Sequence, residues 1–131
     1  MIWTSREIAA PAAVAWDLLT DVSRWPEWGP SVRGARLLSG SFGPGARGLV
    51  ETALGFEASF EVTEFEAGRS WVWAVAGVPA TGHRVEPLGD DACRVGFGVP
   101  AIAFPYLAVC RIALARIAEI AQRDAGLRAR R

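Results

Sequence analysis

An α+β fold is what this sequence predicts: one long C-terminal helix laid in the palm of a curved antiparallel sheet of about six or seven strands. Three observations carry that expectation. Residues 103–125 form the one stretch with sustained helical periodicity. At about 100° per residue, Tyr106, Cys110, Ala113, Leu114, Ile117 and Ala121 share an arc, and Arg111, Glu119, Gln122 and Arg123 lie opposite. From Ser31 to Val99 short apolar stretches alternate with turn signals. Adjacent strands joined by short turns pair antiparallel.

Taken in order, residues 2–9 alternate through Ile2, Thr4, Arg6 and Ile8 as a first strand. Pro11 suits the first position of a helix, where its missing N–H costs nothing. That helix runs to about Thr20, with Val14 and Leu18 one turn apart on its buried side. Asp21 and Ser23 open a second, shorter helical piece, which the run Trp25-Pro26-Glu27-Trp28-Gly29-Pro30 is expected to end. Six strands are then expected, at residues 32–38, 48–54, 56–65, 70–76, 81–87 and 93–99. Between them stand Ser39-Gly40-Ser41 with Gly43-Pro44-Gly45, Gly55, Ala67-Gly68, a break over residues 77–79, and the hairpin signal Gly89-Asp90-Asp91. A cap at Gly126 would end the long helix. The organisation read from this is one domain over residues 1–126 and a basic tail over 127–131.

Period-two alternation assigns faces. Phe56, Ala58, Phe60 and Val62 share one, against Glu57, Ser59, Glu61 and Thr63; Cys93, Val95, Phe97 and Val99 share another, against Arg94, Gly96 and Gly98. Thr81, His83 and Val85 go together. Trp71, Trp73 and Val75 share a face, but the opposing Val72, Ala74 and Ala76 are apolar too, so the facing of the two tryptophans stays open.

The totals bound the function. The 131 residues are 51% hydrophobic and 21% charged, enough for one real core and too apolar for disorder. Zero net charge removes the long-range attraction that nucleic-acid binding normally needs. All fourteen basic residues are Arg, so an amine nucleophile is excluded. Cys93 and Cys110 are too few for a disulfide framework and have no metal-ligand neighbour at short spacing. Residues 1–7 lack the charged and apolar regions of a signal peptide, and the longest nearly uncharged run, residues 95–110, is short of the ~20 residues a membrane span needs. A cytoplasmic protein is expected, with no membrane span, no nucleic-acid partner, no metal and no cofactor, as a monomer or homodimer.

At Ile8-Ala9-Ala10-Pro11-Ala12-Ala13-Val14-Ala15-Trp16-Asp17-Leu18-Leu19-Thr20-Asp21 and Trp25-Pro26-Glu27-Trp28 the chain resembles the opening of the START-related SRPBCC superfamily. Glu66-Ala67-Gly68-Arg69-Ser70-Trp71-Val72-Trp73 and His83-Arg84-Val85-Glu86-Pro87 sit where that superfamily places similar words. The superfamily includes polyketide cyclase/dehydrase-like, pollen-allergen-like and lipid-transfer proteins, and the likeness covers essentially the whole chain. It implies a helix-grip fold with a cavity between sheet and helix, closed at one end by the two short helices. It implies as ligand a small hydrophobic molecule, lipid or polyketide-like. Members differ widely in activity, so the fold does not name the function.

Gly43, Gly45 and Gly48 match G-x-G-x-x-G spacing, but strand residues follow where a phosphate site needs a helix N-terminus, so a glycine-rich hairpin is expected. Trp25 and Trp28 are expected to anchor their loop onto the core, an aromatic rim around the cavity mouth being the alternative. His83, the one histidine, and Tyr106, the one tyrosine, are the catalytic candidates, His83 as general base or donor and Tyr106 as hydrogen-bond partner. For both, a structural part is the competing expectation. Cys93 and Cys110 lack a base or cation beside them, so neither is read as a thiolate. The expected ligand wall is Phe60, Trp73, His83, Phe97, Tyr106, Cys110, Leu114 and Ile117. Glu51, Glu57, Glu61 and Glu64 are expected in solvent, paired loosely with Arg, and Glu119 with Arg123 at i,i+4. A non-catalytic binder of a small hydrophobic molecule is the leading function. A cyclase/aromatase-like enzyme using His83 and Tyr106 is the alternative, and a protein-interaction module without a ligand the third.

Overall fold

The computed structural model describes residues 1–38 and 40–130; Ser39 of the expected turn and Arg131 of the expected tail lie outside them. Strands β1 (Ile2–Ile8), β2 (Val32–Leu37), β3 (Arg47–Thr52), β4 (Glu57–Glu66), β5 (Ser70–Val75), β6 (Val78–Pro87) and β7 (Cys93–Val99) form a seven-stranded sheet. Its order is β1-β7-β6-β5-β4-β3-β2, with every neighbouring pair antiparallel. Sequence neighbours are spatial neighbours except β1, which pairs with β7. β1 and β2 are therefore opposite edges, and the chain between them must cross the concave side. It does so as α1 (Ala12–Thr20), a 3-10 turn (Val22–Arg24) and α2 (Trp25–Trp28). The helix α3 (Leu107–Ala129) lies in the palm of the sheet, as the helix-grip expectation requires, against β1 and β7 and touching α1 and α2.

Register shifts in β4 between Val62 and Glu64, and between Val72 and Ala74 of β5, bend the sheet around that helix. Beyond the β4 shift Phe65 packs on Trp16 and Phe42. On β7 the inward Cys93, Val95, Phe97 and Val99 are all buried. Its outward Gly96 and Gly98 are buried as well. Trp3 covers Gly98 so closely that a Cβ there would meet its ring at 2.7 Å, and the Arg84 side chain lies over Gly96. The Arg84 guanidinium stacks 3.8 Å from the Trp3 centroid.

Several boundaries differ from expectation. The α-helix starts at Leu107, not 103: residues Ala101–Tyr106 form a 3-10 segment interrupted at Ala103 (φ −99°, ψ 22°), with Pro105 inside it. At its far end α3 continues through Gly126 to Ala129, so Gly126 is no cap, and Arg128 reaches Asp17 at 3.2 Å. Residues 25–28 make an α-turn where a breaker was expected, because Pro26 sits in its first turn, where proline is tolerated. β6 begins at Val78, since the β5–β6 turn contracts to Ala76 and Gly77, both with positive φ (51° and 77°) as a tight hairpin demands. Arg36 and Arg47 pair with Glu57 and Glu61 on the outer face. Among the described residues Glu119 and Arg123 make no ion pair; the helix is tied instead by Asp124 to Arg24 at 2.7 Å. By length and composition the stretch Ala101–Ala129 could cross a membrane. The fold uses its α3 part as the gripped helix, burying Cys110, Ala113, Leu114, Ile117, Ala118, Ile120 and Ala121.

Candidate functional site

Trp25 and Trp28 stand one turn apart and share a face of α2. Their indole N–H groups donate to Leu19 O (3.0 Å) and Leu18 O (2.9 Å). Those carbonyls belong to the last turn of α1, which has no helical partner for them. The two tryptophans thus cap one helix while filling the concave side of the sheet. Both are buried, so they anchor the loop, and they also line the site.

Trp25 stacks on Trp71 with ring centroids 5.6 Å apart and planes 10° from parallel, and meets Trp73 edge-on at 5.3 Å. Both β5 tryptophans therefore face inward, which answers the question their symmetric surroundings left open. On its other neighbour, Trp71 stacks with His83 at 3.8 Å, and Phe97 closes on His83 edge-on at 4.8 Å. Among the described residues Trp71 Nε1 is the buried side-chain polar atom without a partner.

Two neighbouring spaces remain. The inner one, of about 40 Å³, is lined by Trp25, Trp71, His83, Phe97 and Cys110 among others. The outer cleft holds about 400 Å³ between the strand ends and the 3-10 segment, walled by Val50, Val75, Val99, Pro79, Pro100 and Ala103. Ser31, Val32, Trp73, Thr81 and Tyr106 line both. Around the mouth Leu54, Phe56, Val78, Ile102 and Phe104 stand exposed, Ile102 at 94%.

Apart from the Trp71 indole N–H, the polar side chains Trp73, Thr81, His83, Ser31 and Tyr106 of this wall are hydrogen-bonded. Trp73 Nε1–H donates to Thr81 Oγ1 (2.9 Å), which lies 3.0 Å from His83 Nε2. His83 Nδ1 lies 3.3 Å from Trp71 O. Burial pushes the His83 pKa down to about 3, so the ring is neutral. The Tyr106 hydroxyl bonds Ser31 Oγ at 2.7 Å, and burial raises its pKa. Burial also pushes the Cys110 thiol up to about 11 and Cys93 upward, so both stay protonated. The described residues hold no group of three or more His, Cys, Asp or Glu side chains suited to a metal.

Of the expected wall, Trp73, His83, Phe97, Tyr106 and Cys110 come together on the inner space. Phe60 is buried behind Trp73 at 5.4 Å, and Ile117 is buried in the core. Leu114, also in the core, touches a shallow hollow beside β1. Sequence reasoning did not single out Thr81, Ser31 or Ala103. The available signal for Thr81 was its place two residues before His83 on one strand face.

A family model described as polyketide cyclase / dehydrase and lipid transport matches residues 2–119. No curated protein sequence matches the chain. Solved structures of similar fold include an NMR structure from Thermobifida fusca, with 25% identity, a TM-score of 0.68 and 93% of each chain covered. The Zhui aromatase/cyclase from a Streptomyces species has 13% identity and a TM-score of 0.70, again over 93% of each chain. A START superfamily protein from Mycobacterium smegmatis has 17% identity and a TM-score of 0.67, covering 93% of this chain and 97% of that one. At 13% and 17% identity the last two show the fold alone. The chain belongs to the polyketide cyclase / dehydrase and lipid transport family, and its fold is the START/SRPBCC helix-grip fold.

Proposed function

We propose that this chain binds a small apolar molecule, lipid or polyketide-like, in the cleft between sheet and helix, without a covalent step. One observation carries the reading: a cleft of about 400 Å³ walled almost wholly by apolar side chains. That volume lies within the range of roughly 300–1,000 Å³ common to small-molecule sites.

A cyclase-like reading would ask His83 to move a proton. With a pKa pushed to about 3 and both ring nitrogens engaged, its imidazole is a poor acceptor at neutral pH. Tyr106 is held by Ser31, and its pKa is raised away from neutrality. Binding therefore has better support than catalysis, and His83 reads as part of the wall.

The test is titration with N-phenyl-naphthylamine, an uncharged apolar dye that brightens out of water. Saturable binding is expected for the native chain. An Ala103→Trp variant, which puts an indole into the cleft from the 3-10 segment, should lose that binding while keeping its circular dichroism. No dye binding, or unchanged binding by the variant, would remove the proposal.

A further inference from the structure

We infer that the cleft selects an uncharged ligand carrying a hydroxyl or amide N–H donor, and that Thr81 is the residue that reads the donor. This rests on the cleft being a ligand site and adds the chemistry of the ligand.

A backbone carbonyl only accepts, so the His83 nitrogen facing Trp71 O must carry the ring hydrogen. In a neutral imidazole the other nitrogen is then bare and can only accept. Thr81, 3.0 Å from that nitrogen, must therefore donate its one hydroxyl proton to it. Thr81 Oγ1 also receives the Trp73 indole N–H. A hydroxyl has one proton and two lone pairs. The proton and one pair are spent, and one lone pair remains on a residue that lines both spaces. At that point the wall accepts and cannot donate. An ether, ester or ketone oxygen placed there would face a lone pair; an O–H or N–H would be satisfied.

Charge is refused on a separate ground. Among the described residues neither space is lined by Asp, Glu or Arg, and the one histidine is neutral. Arg33 comes beside Gly55 at the rim but is not part of the lining. The start of α3 offers no free donor at its first residue, because the Leu107 N–H already bonds Phe104 O and Pro105 O. A carboxylate or phosphate would lose its water here with no cation to replace it. Elsewhere in the wall, Thr52 donates to Phe56 O and is occupied. Ser31 and Tyr106 bond each other and keep one proton between them. They can serve a ligand oxygen at the mouth, and the unpartnered Trp71 Nε1–H borders only the inner space of about 40 Å³; neither changes the polarity at Thr81.

The experiment compares three probes on one ring system by isothermal titration calorimetry at neutral pH: β-naphthol, its methyl ether, and β-naphthoate. β-Naphthol is expected to bind about tenfold tighter than the ether, the worth of one net hydrogen bond. The naphthoate should be weaker than β-naphthol by more than about a hundredfold. Thr81→Val should bring the naphthol-to-ether ratio close to unity, whereas Thr81→Ser, which keeps the hydroxyl, should preserve the ratio. Equal binding of naphthol and ether by the native chain overturns the inference alone, and that measurement does not depend on the valine variant folding. Naphthoate binding as tightly as naphthol overturns it too. If none of the three binds, the reading of the cleft as a ligand site falls, and the inference with it.

Discussion

Toward α1 the concave face of the sheet is filled by protein. Trp25, Trp71 and His83 stack there, and Phe97 closes the side. Toward the opposite end the same strands, β5 and β6, leave a cleft of about 400 Å³. The inward residues change from Trp71 and His83 to Trp73 and Thr81 over one repeat of the strand. The connections differ as well. Those at the mouth, residues 53–56, 76–77 and 100–106, contain no charged side chain, while the β4–β5 and β6–β7 turns at the other end bring Arg69, Asp90 and Asp91. The difference is one of supply. The filled half receives two tryptophans from α2, and the open half receives only the thin 3-10 segment before α3. A pocket here is the part of a core that no crossing element reaches.

The sharpest way to break this comparison is Trp25→Ala. It removes an indole 1% exposed, its stack on Trp71 and the cap on α1. A loss of about 3–5 kcal/mol in chemical denaturation is expected; less than about 1 kcal/mol would mean the inner half is not core. A second test uses acid. His83 is neutral when folded down to a pKa of about 3, whereas the unfolded chain takes the proton near the ordinary 6.5. Between those values the unfolded state binds the extra proton. Stability therefore rises with pH across that window and is lost on acidification, by about 1.4 kcal/mol per pH unit from this group. His83→Gln should flatten that part of the profile relative to the native chain; an unchanged profile would mean the ring is not shielded. The smallest effect belongs to the mouth. Ile102→Ser, at a side chain 94% exposed, should change stability by no more than about 0.5 kcal/mol. A cost of several times that would show that the mouth is as tightly packed as the interior.

The element order was legible because Gly, Pro and Asp mark nearly every turn, and because each strand keeps its own alternation. The facing of Trp71 and Trp73 was not, since Val72 and Ala74 are as apolar as a buried face; what decides it is Trp25, arriving from α2 more than forty residues earlier in the chain. The same cause hides the cleft. Whether an inward side chain makes wall or solid core depends on what crosses above it, so Phe60 and Ile117 look as suitable as Trp73 in the sequence. Thr81 is marked only by sharing a strand face with His83. Its meaning comes from the bonds of Trp73 and His83, which depend on strand register. The helix boundaries failed for a simpler reason: Ala103 and Gly126 are residues whose local preference the surrounding packing readily overrides.

The tryptophan cluster also has an optical consequence. Trp25, Trp71 and Trp73 lie 5.3–5.7 Å apart at interplanar angles of 10°, 77° and 84°. Transition dipoles that close couple, and the two steep angles give the coupling a handed geometry, so the folded chain should show a signed exciton band in circular dichroism that unfolding abolishes. Trp73 belongs to the wall shared by both spaces, while Trp25 and Trp71 line only the inner one. A guest in the outer cleft would thus perturb one chromophore of a coupled set, and the protein carries its own unlabelled reporter of occupancy.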